Sequence, residues 1–369
     1  MTQIISGPGL DDTAVERRNI EDPATPLSMS ALTELLTGGS VAGEAVTPQS
    51  SMRVAAVWAC VWAISTAIAR MPLLTYQRTA GGRERATGHS VYRLLRTRPN
   101  PDMSAFTFLR TTILQTLLWG NGYAEIVRDR RGVPEALLPI QSYRVHPVRV
   151  DGELMYRVYT DGETQTLLRR DVLHVPGLSY DGVVGLSVIA HARLTIAASL
   201  ASDKYAATLM SNGMRPSGAI THPGKLGRDA QNNLRESISL TYAGPANAGK
   251  PLILEEGMTW NANALPPEDA QFIEQATMRV EDICRWFNVP PHKIQHLLRA
   301  TNNNIEQQSL DWLGDTVAPW AECVQQEVNW KLFDEAEMEE FYAEFLTQVL
   351  VQMDAKTRGE LYGKMFGTG

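Results

Sequence analysis

The stretch from Pro266 to Phe333 constrains this chain more than any other, because its spacing reads as helix, loop, long helix. Pro266-Pro267 opens the first helix where proline is tolerated, and Glu268 and Asp269 put negative charge in its first turn. Phe272, Ala276, Val280, Ile283 and Phe287 then recur at helical spacing. Asn288 and Pro290-Pro291 stop the run. The loop that follows carries Lys293, His296 and Arg299, then Asn302, Asn303 and Asn304. Beyond it, Leu313, Val317, Trp320, Val324, Val328 and Leu332 form one face of a second helix. That period holds across Pro319, which predicts a kinked helix and not a break.

The rest of the chain reads as mixed helix and strand. Its 369 residues suffice for two or three domains. Met1 to Ser51 is rich in Gly, Pro, Ser and Thr and reads as a flexible arm. Met52 to Arg70 is a helix with Val54, Trp58, Val61, Ile64 and Ile68 as its apolar stripe, ended by Pro72. A strand at Leu73 to Arg78, a turn at Ala80-Gly81-Gly82 and a short helix at Val91 to Leu95 follow. Ser104 caps a helix whose Phe106, Leu109, Ile113 and Leu117 share a face. From Gly120 the period becomes two, with strands at Tyr123–Arg128, Glu135–Ile140, Tyr143–Val150, Leu154–Thr160 and Thr166–Val175. Asp151-Gly152 and Asp161-Gly162 are hairpin turns, so an antiparallel meander or small barrel is expected. Leu186 to Asn212 is a long helix closed by Asn212-Gly213. A small α/β unit (strand Ser217–Thr221, helix Asp229–Tyr242, strands Pro251–Leu254 and Met258–Asn263) then sits between two long helices, as a tip on a stalk. From Asp334 an acidic helical tail is expected, with Glu335, Glu337, Glu339, Glu340 and Glu344. The fold class is therefore α+β.

Charge and motifs exclude more than they select. A net charge of −7 does not suit a protein that coats nucleic acid. Cys60, Cys284 and Cys323 lie far apart in sequence, which fits a reducing compartment and no disulfide framework or zinc knuckle. Asp11 and Asp12 occupy the place of a signal peptide's apolar core, and no run of about 18 uncharged apolar residues predicts a membrane span. Gly244 to Lys250 matches phosphate-loop spacing, but Pro251 stands where Ser or Thr would hold magnesium. That loop also enters a strand, so no helix N-terminus faces a phosphate. His292 and His296 are four apart, yet nothing nearby supplies a third metal ligand, and no cofactor is expected. Asp171, His174 and Ser179 lack a nucleophile elbow, and His174 reads as a structural residue. Glu255-Glu256 reads as a solvated hairpin tip, and Trp312, Trp320 and Trp330 as core or subunit contacts. No motif supports catalysis.

The run FNVPPHKIQHLLRATNNNIEQQSLDWLGDTVAPW resembles the portal proteins of tailed double-stranded DNA phages, the Hong Kong type long-tailed branch. The stretches Val61–Tyr76 and Gly249–Trp260 point the same way, and the resemblance runs from about Met52 to about Arg358. It implies a twelve-subunit ring at one capsid vertex, through whose channel double-stranded DNA is packaged and ejected. The implied partners are the terminase large subunit, the head–tail adaptor and the major capsid protein. Its implied parts are a wing (52–189), stem helices (190–213 and 267–288), a clip (214–266), a tunnel loop (289–304), a kinked spine helix (305–333) and a helical crown (334–369). On that reading Lys293, His296, Arg299 and Asn302 to Asn304 line the channel, and Asn247, Lys250, Glu255 and Glu256 face partners on the clip. A family member usually continues past the crown, where this chain ends in GKMFGTG. Two other classes compete: a nucleotide-dependent DNA-translocation motor using Gly244–Lys250, and a membrane-peripheral scaffold, against which the lack of basic helix faces speaks.

Overall fold

The structure is a computed structural model, and it describes residues 3–4, 45–160, 162–211, 218–225, 227–242, 257–262, 269–297, 308–309 and 311–347. The N-terminal arm, the clip strand at 251–254, the Asn212-Gly213 cap and the tail beyond 347 otherwise fall outside these residues. The arm's last residues are ordered into structure. Helix α1 (Pro48–Ser51) has Thr47 as N-cap and Pro at its start, with Thr47 and Ser50 forming a reciprocal capping box. Val46 beside it is buried.

Helix α2 (Ala55–Arg70) is the axis of the core. It packs against α4 (Ala105–Trp119) and α8 (Asp269–Phe287). Because neighbours surround it, Val57, Cys60, Val61, Ile64 and Ile68 are all buried. Trp58 departs from the expected stripe: it and Trp62 stand about half exposed one turn apart. The expected strand, β2 (Leu73–Thr79), turns at Ala80-Gly81 into β3 (Gly82–Arg85), which pairs with it, and α3 (Ser90–Arg96) follows. Ser104 caps α4 as expected, its Oγ accepting from the Thr107 amide, a cap worth about 1 kcal/mol. Leu109, Ile113 and Leu117 are buried on the face predicted, and Phe106 is partly buried.

The period-two region forms two sheets, not one meander or barrel. Strands β4 (Asn121–Arg128), β5 (Pro134–Ile140) and β9 (Val172–Pro176) pair in the order β5-β4-β9. Strands β6 (Val145–Val150), β7 (Glu153–Thr160) and β8 (Glu163–Leu168) form the other sheet, with β1 (Gln3–Ile4) on its edge beside β6. The sheets divide inside the strand expected at Thr166–Val175. Arg169–Asp171 is a 3₁₀ turn that redirects the chain from exposed β8 into β9, whose Val172 to Val175 are buried on successive residues. The Asp151-Gly152 hairpin is as expected, with φ of 52° and 88° in the left-handed region.

Helices α5 (Val188–His191) and α6 (Arg193–Ser211) replace the single long helix expected. Strand β10 (Gly218–Thr221) pairs antiparallel with β11 (Thr259–Ala262), and α7 (Arg228–Tyr242) lies between them in sequence. α6 and α8 pack together, and Arg279 donates to Ser202 across them at 3.0 Å. Cys60 and Cys284, distant in sequence, are both buried free thiols, one on each of the packed helices α2 and α8.

Within 334–345 the chain departs from the helical tail expected. After α9 (Ala318–Leu332) comes one short helix, α10 (Glu337–Glu340), and then strand β12 (Phe341–Phe345), which pairs with β2. The acids mislead the eye, but Phe341, Ala343 and Phe345 alternate with Tyr342 and Glu344, which is strand periodicity. Asn329 on α9 secures the strand from both sides: it donates to the Ala343 carbonyl at 3.0 Å and accepts from its amide at 2.6 Å. Residues 334–345 therefore belong to the same folded body as β2 and α9.

Candidate functional site

The element of interest is the turn between α8 and α9. Asn288 ends α8 in the left-handed conformation (φ 52°), which asparagine tolerates at a helix C-terminus. Pro290-Pro291 then starts a 3₁₀ turn, Pro291–Ile294, capped by Gln295 at φ 63°. Opposite it, the helix at 311–312 passes into a π-turn, Leu313–Val317, before α9 begins. Pro319 lies in the first turn of α9, so the missing amide falls where the π-turn has shifted the hydrogen-bond register. The helix runs on through Pro319 without a break, as expected, and its irregularity is a π-turn just before the proline.

Side chains fasten the two halves together. Thr316 Oγ1 donates to the Asn288 carbonyl at 2.7 Å, and Asn288 Nδ2 reaches the Asp315 carbonyl at 3.4 Å. His292 contacts Gln308 Oε1 at 3.1 Å and Ser309 Oγ at 3.0 Å. An open cleft of about 360 Å³ lies between the halves, lined by Cys284, Asn288, Pro290, Asp311, Trp312 and Asp315 among others.

The site residues expected from sequence divide into two groups. Lys293 and His296 are described; Arg299, Asn302, Asn303, Asn304, Asn247, Lys250, Glu255 and Glu256 lie outside the described residues. Lys293 is not a free cation: its Nζ sits 5.2 Å from the centre of the Trp312 ring, and partial burial lowers its proton affinity. His296 is half-buried, and its Nε2 and the Trp312 Nε1 have no hydrogen-bond partner among the described residues. Burial, then the Lys293 charge, lowers the His292 pKa. No cluster of three or more metal-ligating side chains occurs among the described residues.

His174 is structural, as expected. Tyr156 Oη lies 3.0 Å from its Nδ1, Asn121 Oδ1 lies 2.9 Å from its Nε2, and Tyr123 stacks on it at 4.4 Å. Burial, followed by the charge of Lys331, pushes its pKa down to about 3. Ser179 and Asp171 are elsewhere engaged: Ser179 donates to Asp181 at 2.9 Å, and Asp171 pairs with Arg128 at 3.3 Å. Trp312 is buried and Trp330 is half exposed.

Sequence reasoning missed the charged end of α9. Lys331 is buried, donates to the Arg169 carbonyl at 2.5 Å and lies 4.0 Å from Glu327. Glu327 accepts from the His174 amide at 3.2 Å. Arg128 donates to the Lys331 and Arg170 carbonyls and to that of Gly132, which brings the 130–132 tip and the 169–170 turn to this end of α9. The signal was present as the arginine pairs 130–131 and 169–170, with Arg128 just before the first, masked by the acidic total.

Among the described residues, long helices and small antiparallel sheets hold the 288–297 turn pinned between α8 and the π-turn. The model of the family described as phage portal protein matches residues 55–369. The probable portal protein of Streptomyces phage phiC31 is 30% identical over 339 residues, covering 88% of this chain and 74% of that protein. The portal protein of Enterobacteria phage HK97 is 26% identical over 349 residues, covering 94% and 82%. A solved chain from the neck of an empty gene transfer agent particle, computed with C6 symmetry, is similar with a TM-score of 0.63 and 26% identity, covering 90% of this chain and 92% of that one. The chain belongs to the phage portal protein family.

Proposed function

We propose that this chain forms a twelve-subunit ring at one vertex of a phage capsid, the channel for packaging and ejecting double-stranded DNA. The observation that carries this is the family match from 55 to 369, within which the 288–296 turn is held between α8 and α9. In this reading α6 and α8 are the stem, 214–266 the clip, 289–304 the tunnel loop and 305–333 the spine. Residues 334–345 complete the wing, because β12 pairs with β2, and any crown begins after them. The clip, with Asn247, Lys250, Glu255 and Glu256, meets the terminase large subunit and then the head–tail adaptor; the wing meets the major capsid protein. The subunit is not catalytic. Among the described residues no helix is long and apolar enough to cross a membrane.

A portal must let DNA slide, and duplex DNA carries one charge about every 1.7 Å, so a few weak contacts per subunit suit the loop better than a dense basic lining. Lys293, whose charge lies beside the Trp312 ring, is the weak cation of this set, and with His296, Arg299 and Asn302 to Asn304 it is offered to DNA. The test is native mass and electron microscopy of the purified protein, then packaging by Arg299→Glu. A ring of about twelve times 40.8 kDa with a central hole is expected, and Arg299→Glu should form that ring but pass or retain DNA poorly. A stable monomer refutes the ring, and wild-type packaging by Arg299→Glu refutes the loop assignment.

A further inference from the structure

The charge of this chain is unevenly placed. Residues 78–170 contain fifteen arginines, no lysine and nine acids, a balance of +6 inside a chain of −7. The tertiary structure gathers part of that excess at one place. Arg128 is the hub: its guanidinium donates to the carbonyls of Gly132 (3.0 Å), Arg170 (3.1 Å) and Lys331 (2.7 Å) and pairs with Asp171. It thereby sets the β4–β5 tip beside the turn that precedes β9. The tip is built to stand firm. Asp129 Oδ1 accepts from the amides of Arg131 (2.8 Å) and Val133 (2.9 Å), and Gly132 adopts φ 85°. Arg130 and Arg131 are exposed on it. Across from them Arg169 lies 4.2 Å over the half-exposed Trp330 ring, and Arg170 is largely exposed. Three of the nearby acids are engaged: Asp129 by the tip amides, Asp171 by Arg128 and Arg170, Glu327 by Lys331 and the His174 amide; Glu135, at the start of β5, is exposed.

We propose that Arg130, Arg131, Arg169 and Arg170, with Trp330 beside them, form a second contact surface for double-stranded DNA, gripping phosphates of duplex that lies against the wing. The chemistry favours phosphate. The cluster is arginine alone, whose planar fork binds phosphate oxygens bidentately, and sequence-independent binding of this kind needs only backbone contacts. The surface is distinct from the channel loop. It sits at the far end of α9, thirteen residues from Ala318, which at about 1.5 Å per residue is about 20 Å away. The same field is felt inside the protein: burial, and then Arg169 and Arg128 against the attraction of Glu327, hold the Lys331 pKa down to about 8.

This rests on the portal reading, and the experiment separates the two. The probe is a covalently closed duplex minicircle, which cannot thread a channel, titrated against the full-length protein from 50 to 200 mM NaCl. Native mass is measured on the same samples. Wild-type rings should retard the minicircle, with affinity falling steeply with salt. Arg130→Glu/Arg131→Glu should leave the ring intact, weaken binding at least tenfold at 50 mM, and reduce the log–log salt slope by about two. Arg130→Gln/Arg131→Gln should lie between. Intact rings that bind the minicircle equally well with and without the two arginines overturn the proposal, as does a wild-type ring that does not bind it. Loss of the ring on charge reversal, with minicircle binding kept, also overturns it and assigns the surface to an acidic segment of a second copy. Failure of the wild type to form rings counts against the portal reading alone.

Discussion

Replacing His174 by glutamine tests the buried network that joins the β4 sheet to α9. Asn121 Oδ1 accepts from the Gly185 amide at 2.8 Å while its Nδ2 donates to the Gly185 carbonyl at 3.1 Å, so that oxygen can only accept from His174. Nε2 therefore carries the proton, and Nδ1 accepts from Tyr156. A second proton would put a charge in a nearly dry site with Lys331 near, which is why the pKa falls from 6.5 to about 3. The sign follows. The folded chain binds this proton less well than the unfolded one, so the stability is complete above pH 6.5 and is lost as pH falls toward 3. Linkage puts the loss between pH 7.5 and 4.5 at about 3 kcal/mol, and the full penalty on the order of 5 kcal/mol. Glutamine can donate to Asn121 and accept from Tyr156 but cannot titrate; it should cost about 1–2 kcal/mol at pH 7.5 through poorer geometry. The assay is urea unfolding of both proteins at the two pH values and one protein concentration, followed by circular dichroism. Carboxylates common to both cancel in the comparison. The wild type should lose about 3 kcal/mol more than the variant on acidification. Equal losses would refute the claim that His174 is held neutral by the fold.

Three further variants probe the same region. Glu327→Ala leaves Lys331 buried without its carboxylate and should cost about 3–5 kcal/mol at pH 7, whereas Glu327→Gln/Lys331→Met should cost far less; thermal melts of both decide it. Because the folded Lys331 pKa lies near 8 and the unfolded value is 10.5, wild-type stability from this group rises between those pH values, and the double variant should lack that rise. Gly185→Ala should destabilise by on the order of 3 kcal/mol, because its Cβ would lie 1.9 Å from the Gly120 carbonyl oxygen and neither backbone can yield; soluble yield and melting temperature report it, and a wild-type melt would contradict the packing described.

Much of this fold was readable because it is local. The capping serine at 104, the asparagine and prolines after Phe287 and the Asp151-Gly152 turn each act within a few residues, so sequence alone places those boundaries. Helical spacing likewise locates Val324, Val328 and Leu332 on the buried face of α9. The family follows from the order of such elements along the chain. What the sequence could not settle depends on what arrives from elsewhere. Val172 to Val175 continue a strand by propensity, but α9 packing on one side and β4 pairing on the other make them a separate strand in another sheet. Acidic residues 334–340 suggest a solvated helix, yet β2 offers an unpaired edge and Asn329 a matching amide, so the chain turns into β12. No local pattern brings Lys293 beside Trp312, nineteen residues on, whose ring lies 5.2 Å from its Nζ. The arginines of 78–170 are lost in an acidic total until Arg128 brings two distant pairs together. Sequence determines where backbone groups must be capped, turned or hidden; only the tertiary structure decides which charges meet, because that depends on neighbours separated by tens to hundreds of residues.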